Sequence, residues 1–267
     1  MGADIKSLRI RIKSVDSTLH LTKAMGLVAS SKIRRANEAM AKGREYAAAV
    51  KQAVSMLSAS AECVKSPYMQ NRGEGRTRLI VIAGDRGLAG GYNANIFRLM
   101  RSYPSAEVIP IGKRACDRYG REAISSEQYG FDDAFKLAKQ LCLDFAEEKY
   151  DRLGIVCTKY VSMMTQEAQV VWLLPLTKTE DLGGAGVIFE PDEMSILNAA
   201  MPEYVAGLLI AAIRESFASE VAARRCAMDS AGKNAQQMID TLQLEYNRAR
   251  QGAITQEITE IVAGSGS

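Results

Sequence analysis

Aromatic residues are scarce, at 6% of 267 residues, and there is a single histidine, His20. Few rings and many alanines favour slim helices over a wide aromatic core. One histidine and scattered cysteines, with no C-x-x-C pair among Cys63, Cys116, Cys142, Cys157 and Cys226, argue against a zinc site. The odd cysteine count also speaks against a full disulfide set. These residues read as small buried apolar side chains in a reducing compartment. No nucleophile–base pair has a recognisable spacing, so no catalytic residue and no cofactor are expected, and His20 reads as structural. No uninterrupted apolar run reaches the ~20 residues of a membrane span. The polar start has no signal-peptide core. Membrane association is therefore expected only through a partner. A net charge of +3 is too small to indicate nucleic acid by itself.

Proline is absent from both ends. All six, Pro67, Pro104, Pro110, Pro175, Pro191 and Pro202, lie in the middle. A proline inside a helix costs about 3 kcal/mol, so two long proline-free ends permit two long helices. This divides the chain into an N-terminal helix (1–66), a middle domain (67–201) and a C-terminal helix (202–267).

The N-terminal part carries a heptad stripe. Alternate steps of three and four meet Ile5, Leu8, Ile12, Val15, Leu19, Thr22, Gly26, Ala29, Ile33, Ala36, Met40, Gly43, Ala47, Val50, Val54 and Leu57. That is the signature of a coiled coil. At 1.5 Å per residue such a helix makes a rod of roughly 80 Å. Its middle is thin, because Thr22, Gly26 and Ala29 have little bulk.

The C-terminal part repeats the pattern less strictly. Pro202 suits a first-turn position and Glu203 the positive end of the helix dipole. Apolar positions follow at Val205, Leu209, Ala212, Ile213, Phe217, Val221, Met228, Ala231, Ala235, Met238, Leu242 and Ala249, then Ile254, Ile258 and Ile261. The drift implies different neighbours along the length. The tail from Gly264 should fray. Neither helix can bury its stripe alone, so the two are expected to pair antiparallel.

The middle alternates strands and helices. Strands are expected at Leu79–Ala83, Val108–Ile111, Leu153–Cys157 and Gln169–Leu174. Helices are expected at Asn93–Arg101, Lys113–Tyr119 and Asp132–Glu148, the last with an apolar face of Phe135, Leu137, Leu141, Leu143 and Phe145. Trp172 reads as core. The order indicates a mainly parallel, Rossmann-like sheet.

The segment from Gly84 to Asn93, Gly-Asp-Arg-Gly-Leu-Ala-Gly-Gly-Tyr-Asn, follows a strand and precedes a helix, where phosphate loops belong. Its glycines, at 84, 87, 90 and 91, do not fit G-x-G-x-x-G, and no G-x-x-x-x-G-K-[ST] occurs. A close-packed turn is the simpler reading. Eleven basic residues from Lys6 to Lys51 face four acidic ones, Asp4, Asp16, Glu38 and Glu45. That face suits solvent, an acidic protein partner or nucleic acid, but no aromatic precedes Tyr46 to stack a base. The alternatives to a structural rod are thus a Rossmann-like nucleotide-binding enzyme and a coiled-coil adaptor.

Several long motifs resemble the gamma subunit of F-type ATP synthases. They are Ile5–Val15 and Thr22–Lys32, Asp85–Asn93, Glu215–Glu220 with Ala222-Ala223-Arg224 and Ala227-Met228, and Tyr246–Val262. The resemblance covers essentially the whole chain. Gly26 departs from a common acidic residue, Ala89 from cysteine, Gly252 from alanine, and Ser265 from the alanine usual after Gly264. The resemblance implies an antiparallel coiled coil inside a ring of three alpha and three beta subunits. A Rossmann-like domain would sit below it on the c ring and against epsilon, with the catalytic nucleotides in the ring. It implies that Lys23, Met25, Arg224, Gln251, Thr255 and Glu257 face the alpha/beta ring, and that Phe189 and Glu190 meet the c ring or epsilon. It further implies a rotor without catalytic groups of its own. The expected place is the cytoplasmic face of a bacterial membrane, since no transit peptide precedes the chain.

Overall fold

A computed structural model of the chain describes residues 2–73, 75–178 and 189–265. Helix α1 spans Gly2–Ala59. The middle follows as β1 (Thr77–Ile82), α2 (Tyr92–Leu99), β2 (Glu107–Ile111), α3 (Lys113–Tyr119), α4 (Phe131–Ala146), β3 (Arg152–Tyr160) and β4 (Gln166–Leu174). Helix α5 spans Glu193–Ser265. The residues form two compact units, Met1–Ser30 with Arg224–Ser267, and Ser31–Ala223.

The larger unit is built on one sheet of order β2-β1-β3-β4. Strand β1 pairs parallel with β2 and β3, and β3 turns back to pair antiparallel with β4. Leu79, Ile80, Val81 and Ile82 are all buried because both faces of β1 are covered, which is why the run is continuously apolar. Alternation then sorts the side chains. Ile80 and Ile82, with Leu153 and Ile155 of β3, meet Leu141 and Phe145 of α4, Val54 and Leu57 of α1, and Leu197, Met201, Val205 and Leu209 of α5. Leu79, Val81 and Val156 point the other way, onto Ile96 and Met100. Trp172 is only half-buried on that second face. The guanidinium of Arg152 lies 4.0 Å from its ring centroid, so it caps the sheet instead of filling the core.

Every heptad position expected in α1 is buried or half-buried. In this unit Ala36 and Met40 cluster with Ala218, a Cβ on Gly43 would meet Ala211, and Tyr46 lies against Gly207. The rising numbers of α1 meet the falling numbers of α5, so the two helices run antiparallel.

Four expectations need correction. Pro202 lies inside α5, not at its start. The helix begins nine residues earlier, where Asp192 caps it by accepting from the Ser195 backbone N–H (2.8 Å) and hydroxyl (2.6 Å). The proline cannot donate to Asn198, but burial of Leu197, Met201, Val205 and Leu209 on the sheet offsets that loss. Helix α1 stops at Ala59, short of residue 66, where the Ser58 hydroxyl donates back to the Ser55 carbonyl at 2.9 Å. The core face of α4 is Ala134, Ala138, Leu141, Cys142 and Phe145, with Phe135 and Leu137 packed at its edge, while Leu143 is exposed because it falls on the opposite side of the helix from Leu141 and Phe145. In α5, Ile239 is buried and Met238 exposed, as the drifting stripe has advanced one position by that turn.

Part of α5 is apolar enough over 18 residues to cross a membrane by composition, but 67% of that window is buried inside the protein, as in a core helix. The helix runs past Gly264 to Ser265, and residues 266–267 lie outside the described set.

Candidate functional site

In the smaller unit the helix pair is narrow. Leu19 packs on Ala235 and Ile239. Thr22 Oγ1 lies 3.6 Å from where a Cβ on Gly232 would stand, and the Met228 Cβ is 3.6 Å from the equivalent point on Gly26. This pairing is again antiparallel. The buried Thr22 hydroxyl is satisfied within its own helix, donating to the Leu19 carbonyl at 2.9 Å. The missing bulk leaves a groove of 460 Å³, whose polar lining is Lys23, Arg225, Asp229, Lys233 and Gln236. Lys233 donates to Asp229 at 2.8 Å and holds that carboxyl below its ordinary range. Further toward the N-terminus of α1, Arg9 donates to the Tyr246 hydroxyl at 2.8 Å.

The structure distributes the residues named by resemblance instead of gathering them. Lys23 is exposed on the groove, and Met25 is half-buried beside Gly26. Arg224 is half-buried where α5 enters this unit. Gln251, Thr255 and Glu257 are exposed near the end of α5, with the Thr255 hydroxyl donating to the Gln251 carbonyl at 2.9 Å. At 1.5 Å per residue, Arg224 and Gln251 stand about 40 Å apart along the helix. Past Ala249 the apolar stripe is not covered: Ile254 is 45% and Ile261 70% exposed. Arg225, Asp229, Lys233 and Gln236 were missed. The Asp229–Lys233 spacing of four, one turn beyond Arg225, was the available signal.

Phe189 is half-buried and packs against the main core, while Glu190 beside it is exposed and precedes a cis peptide bond to Pro191. Val187 and Ile188, just before Phe189, lie outside the described residues.

The loop from Gly84 to Asn93 is tightly held. Asp85 Oδ1 accepts from the backbone N–H groups of Lys113 and Ser126, both at 3.0 Å. Oδ2 accepts from the Ser125 hydroxyl (2.6 Å) and the Glu127 N–H (3.2 Å). Burial opposes the charge on Asp85, yet these four donors outweigh it and hold the carboxyl below its ordinary range. Asn93 Oδ1 accepts from the Gly84 N–H at 2.9 Å. A Cβ on Gly84 would come within 2.7 Å of the buried Glu220 carboxyl carbon. Gly112 holds φ +94° with the Ala83 carbonyl where its Cβ would be, so only glycine fits there. The Asp85 oxygens are thus taken up by protein donors, and Gly84 packs on the buried Glu220 carboxylate. This is a packing junction instead of an anion cradle. Glu220 belongs to the Glu215–Glu220 motif, but nothing in the sequence pairs it with Gly84.

A family model described as ATP synthase matches residues 4–267. A gamma chain of ATP synthase from Ruminococcus albus is 40% identical over 281 aligned positions, covering 98% of this chain and 98% of that one. A gamma chain from Alkaliphilus metalliredigens is 38% identical over 287 positions, covering 99% of each. Among solved structures, the Euglena gracilis mitochondrial ATP synthase rotor matches with a TM-score of 0.63 at 18% identity, over 95% of this chain and 100% of that one. The central stalk and c ring of Tetrahymena thermophila mitochondrial ATP synthase matches with a TM-score of 0.62 at 22% identity, over 79% and 99%. Those two likenesses concern the fold.

Proposed function

Because this chain belongs to the ATP synthase gamma-chain family, we propose that it is the central rotor shaft coupling ion-driven rotation of a c ring to ATP synthesis and hydrolysis in an alpha/beta ring. The observation that carries this reading is the antiparallel pair of long helices narrowed to Leu19, Thr22 and Gly26 against Met228, Gly232 and Ala235. A shaft must resist bending, and paired helices do so with few residues. It must also slip past its surroundings, and small seam residues with solvated charges offer no interlocking anchors.

On this reading the partners are the alpha, beta and epsilon subunits and the c ring. The chain is non-catalytic, and the nucleotides are handled in the alpha/beta ring. It works at the cytoplasmic face of a bacterial membrane, peripherally, through the c ring. Lys23 and Met25 face the moving part of the ring, and Arg224, Gln251, Thr255 and Glu257 contact the ring or couple to the region of Met25. The exposure of Ile254, Ile258 and Ile261 beside those last three supports the presence of a covering partner. Glu190, on a base fixed by Phe189, meets the c ring or epsilon.

The test is reconstitution with alpha, beta, epsilon and c-ring components in vesicles. ATP-driven ion uptake should require this chain. A complex that couples equally well without it would refute the proposal.

A further inference from the structure

The Gly84–Asn93 loop and its neighbours tie the α/β body to both long helices, but by different chemistry. Toward α5 the ties are buried. The Tyr92 hydroxyl donates to the Ser216 carbonyl at 3.0 Å, the Thr158 N–H donates to the Ser216 hydroxyl at 3.1 Å, and Gly84 sits on Glu220. Toward α1 the tie runs through the strap 125–127. Asp85 gathers Ser125, Ser126 and Glu127, and Glu127 Oε1 in turn accepts from Lys32 Nζ at 2.7 Å. The two side chains are 38% and 41% exposed. They stand on a cleft of 600 Å³ whose lining includes Arg35, Tyr129, Arg214 and Phe217. Lys32 is the second residue of α1 in this unit, at the edge where the helix passes into the other.

We infer that Asp85, Glu127 and Lys32 form a clasp that holds α1 in register with the α/β body during torque transfer, releasable because its closing contact is ionic and solvated. The inference rests on the rotor reading above. Asp85 and Glu127 are positioning residues: Asp85 acts on α1 through the strap that carries Glu127. Torque entering the body reaches α5 through buried contacts that water and salt do not reach. At the upper end of this stretch of α1 it meets the screened ion pair of Lys32 with Glu127, one turn above the packing of Ala36 and Met40 on Tyr160 and the hydrogen bond from Arg44 to the Tyr160 carbonyl. The loop's constellation of glycine, aspartate and asparagine then has a task that phosphate binding does not explain.

The experiment uses the assembled complex in vesicles, with ATP hydrolysis and ion uptake measured together for Lys32→Glu, Glu127→Lys, the double reversal and Asp85→Asn. Each single reversal should lower ions moved per ATP about two- to fivefold at low salt, the span of an exposed ion pair, while hydrolysis persists. The double reversal should restore coupling. Asp85→Asn should act like a single reversal. In the isolated chain it should speed amide exchange at Ser126 and Glu127 but not around Tyr92. Single reversals that couple as the parent does, or a double reversal that restores nothing, would overturn the clasp and leave the rotor reading standing. A parent complex that couples without this chain would instead overturn the rotor reading.

Discussion

Gly154 of β3 lies directly beneath Trp172 of β4: a Cβ there would come 2.9 Å from the indole Cε3 and 3.0 Å from Leu79 Cδ2. The pair explains both residues. The strand register shifts at Leu153/Gly154, and the missing side chain lets the indole lie flat on the sheet under Arg152. Gly154→Ala should therefore overpack the second face and lower stability by about 1–3 kcal/mol. Thermal or urea unfolding reads this directly, and an unchanged midpoint would show that the indole moves aside freely.

Arg78 and Asp144 form the main partly buried ion pair of the body, at 2.7 Å, with Lys149 and Gln140 also donating to the carboxylate. Burial works against the Asp144 charge, but these bonds outweigh it and pull the carboxyl down to about 2. A depressed folded-state pKa stabilises fully above the unfolded value near 4, and that contribution is lost as pH falls toward 2. Asp144→Asn should thus cost stability at neutral pH and flatten the pH dependence between roughly 4 and 2. Urea midpoints across that window test it; parallel curves for the two proteins would contradict it.

Gly26 offers the opposite sign. The nearest atom to an added Cβ is the Met228 Cβ at 3.6 Å, ordinary contact. Gly26→Ala should stabilise the helix pair by about 0.5–1 kcal/mol, because alanine loses less backbone freedom in a helix. Slower amide exchange over residues 22–30 of α1 is the expected sign, and faster exchange would mean that the seam cannot admit a methyl group.

The cysteines should differ sharply in reactivity. Burial pushes the thiols of Cys142 and Cys157 up to about 12, and Cys63 and Cys116 are also buried, whereas Cys226 is half-buried. At neutral pH an alkylating reagent should modify Cys226 first and the others only on unfolding. Mass spectrometry of the native protein resolves the order.

Much of this was legible in the residues. The heptad stripe located the seam of α1 at every position, because a helix that buries one face must repeat every three or four residues. The four strands are legible because their runs are apolar, continuously so in β1 and β3, where both faces are covered. Local pattern points to Met238 instead of Ile239 and to Pro202 as a helix start, but register and helix entry there are set by what packs against α5. Local propensity does not report that. The groove residues Arg225, Asp229, Lys233 and Gln236 carry no motif, and they line a space only because the residues opposite are small.

The sequence by itself determined that two long helices flank a mainly parallel sheet, and the full-length motifs determined the family. Periodicity, proline placement and turn residues act over a few positions and are visible in any stretch of chain. Only the tertiary structure decided what the Gly84–Asn93 loop does. It brought Glu220 from 136 residues away onto Gly84, and Lys32 onto the strap that Asp85 holds. Such pairings depend on how the elements dock, and docking energy is shared among many apolar contacts, so no single residue announces it.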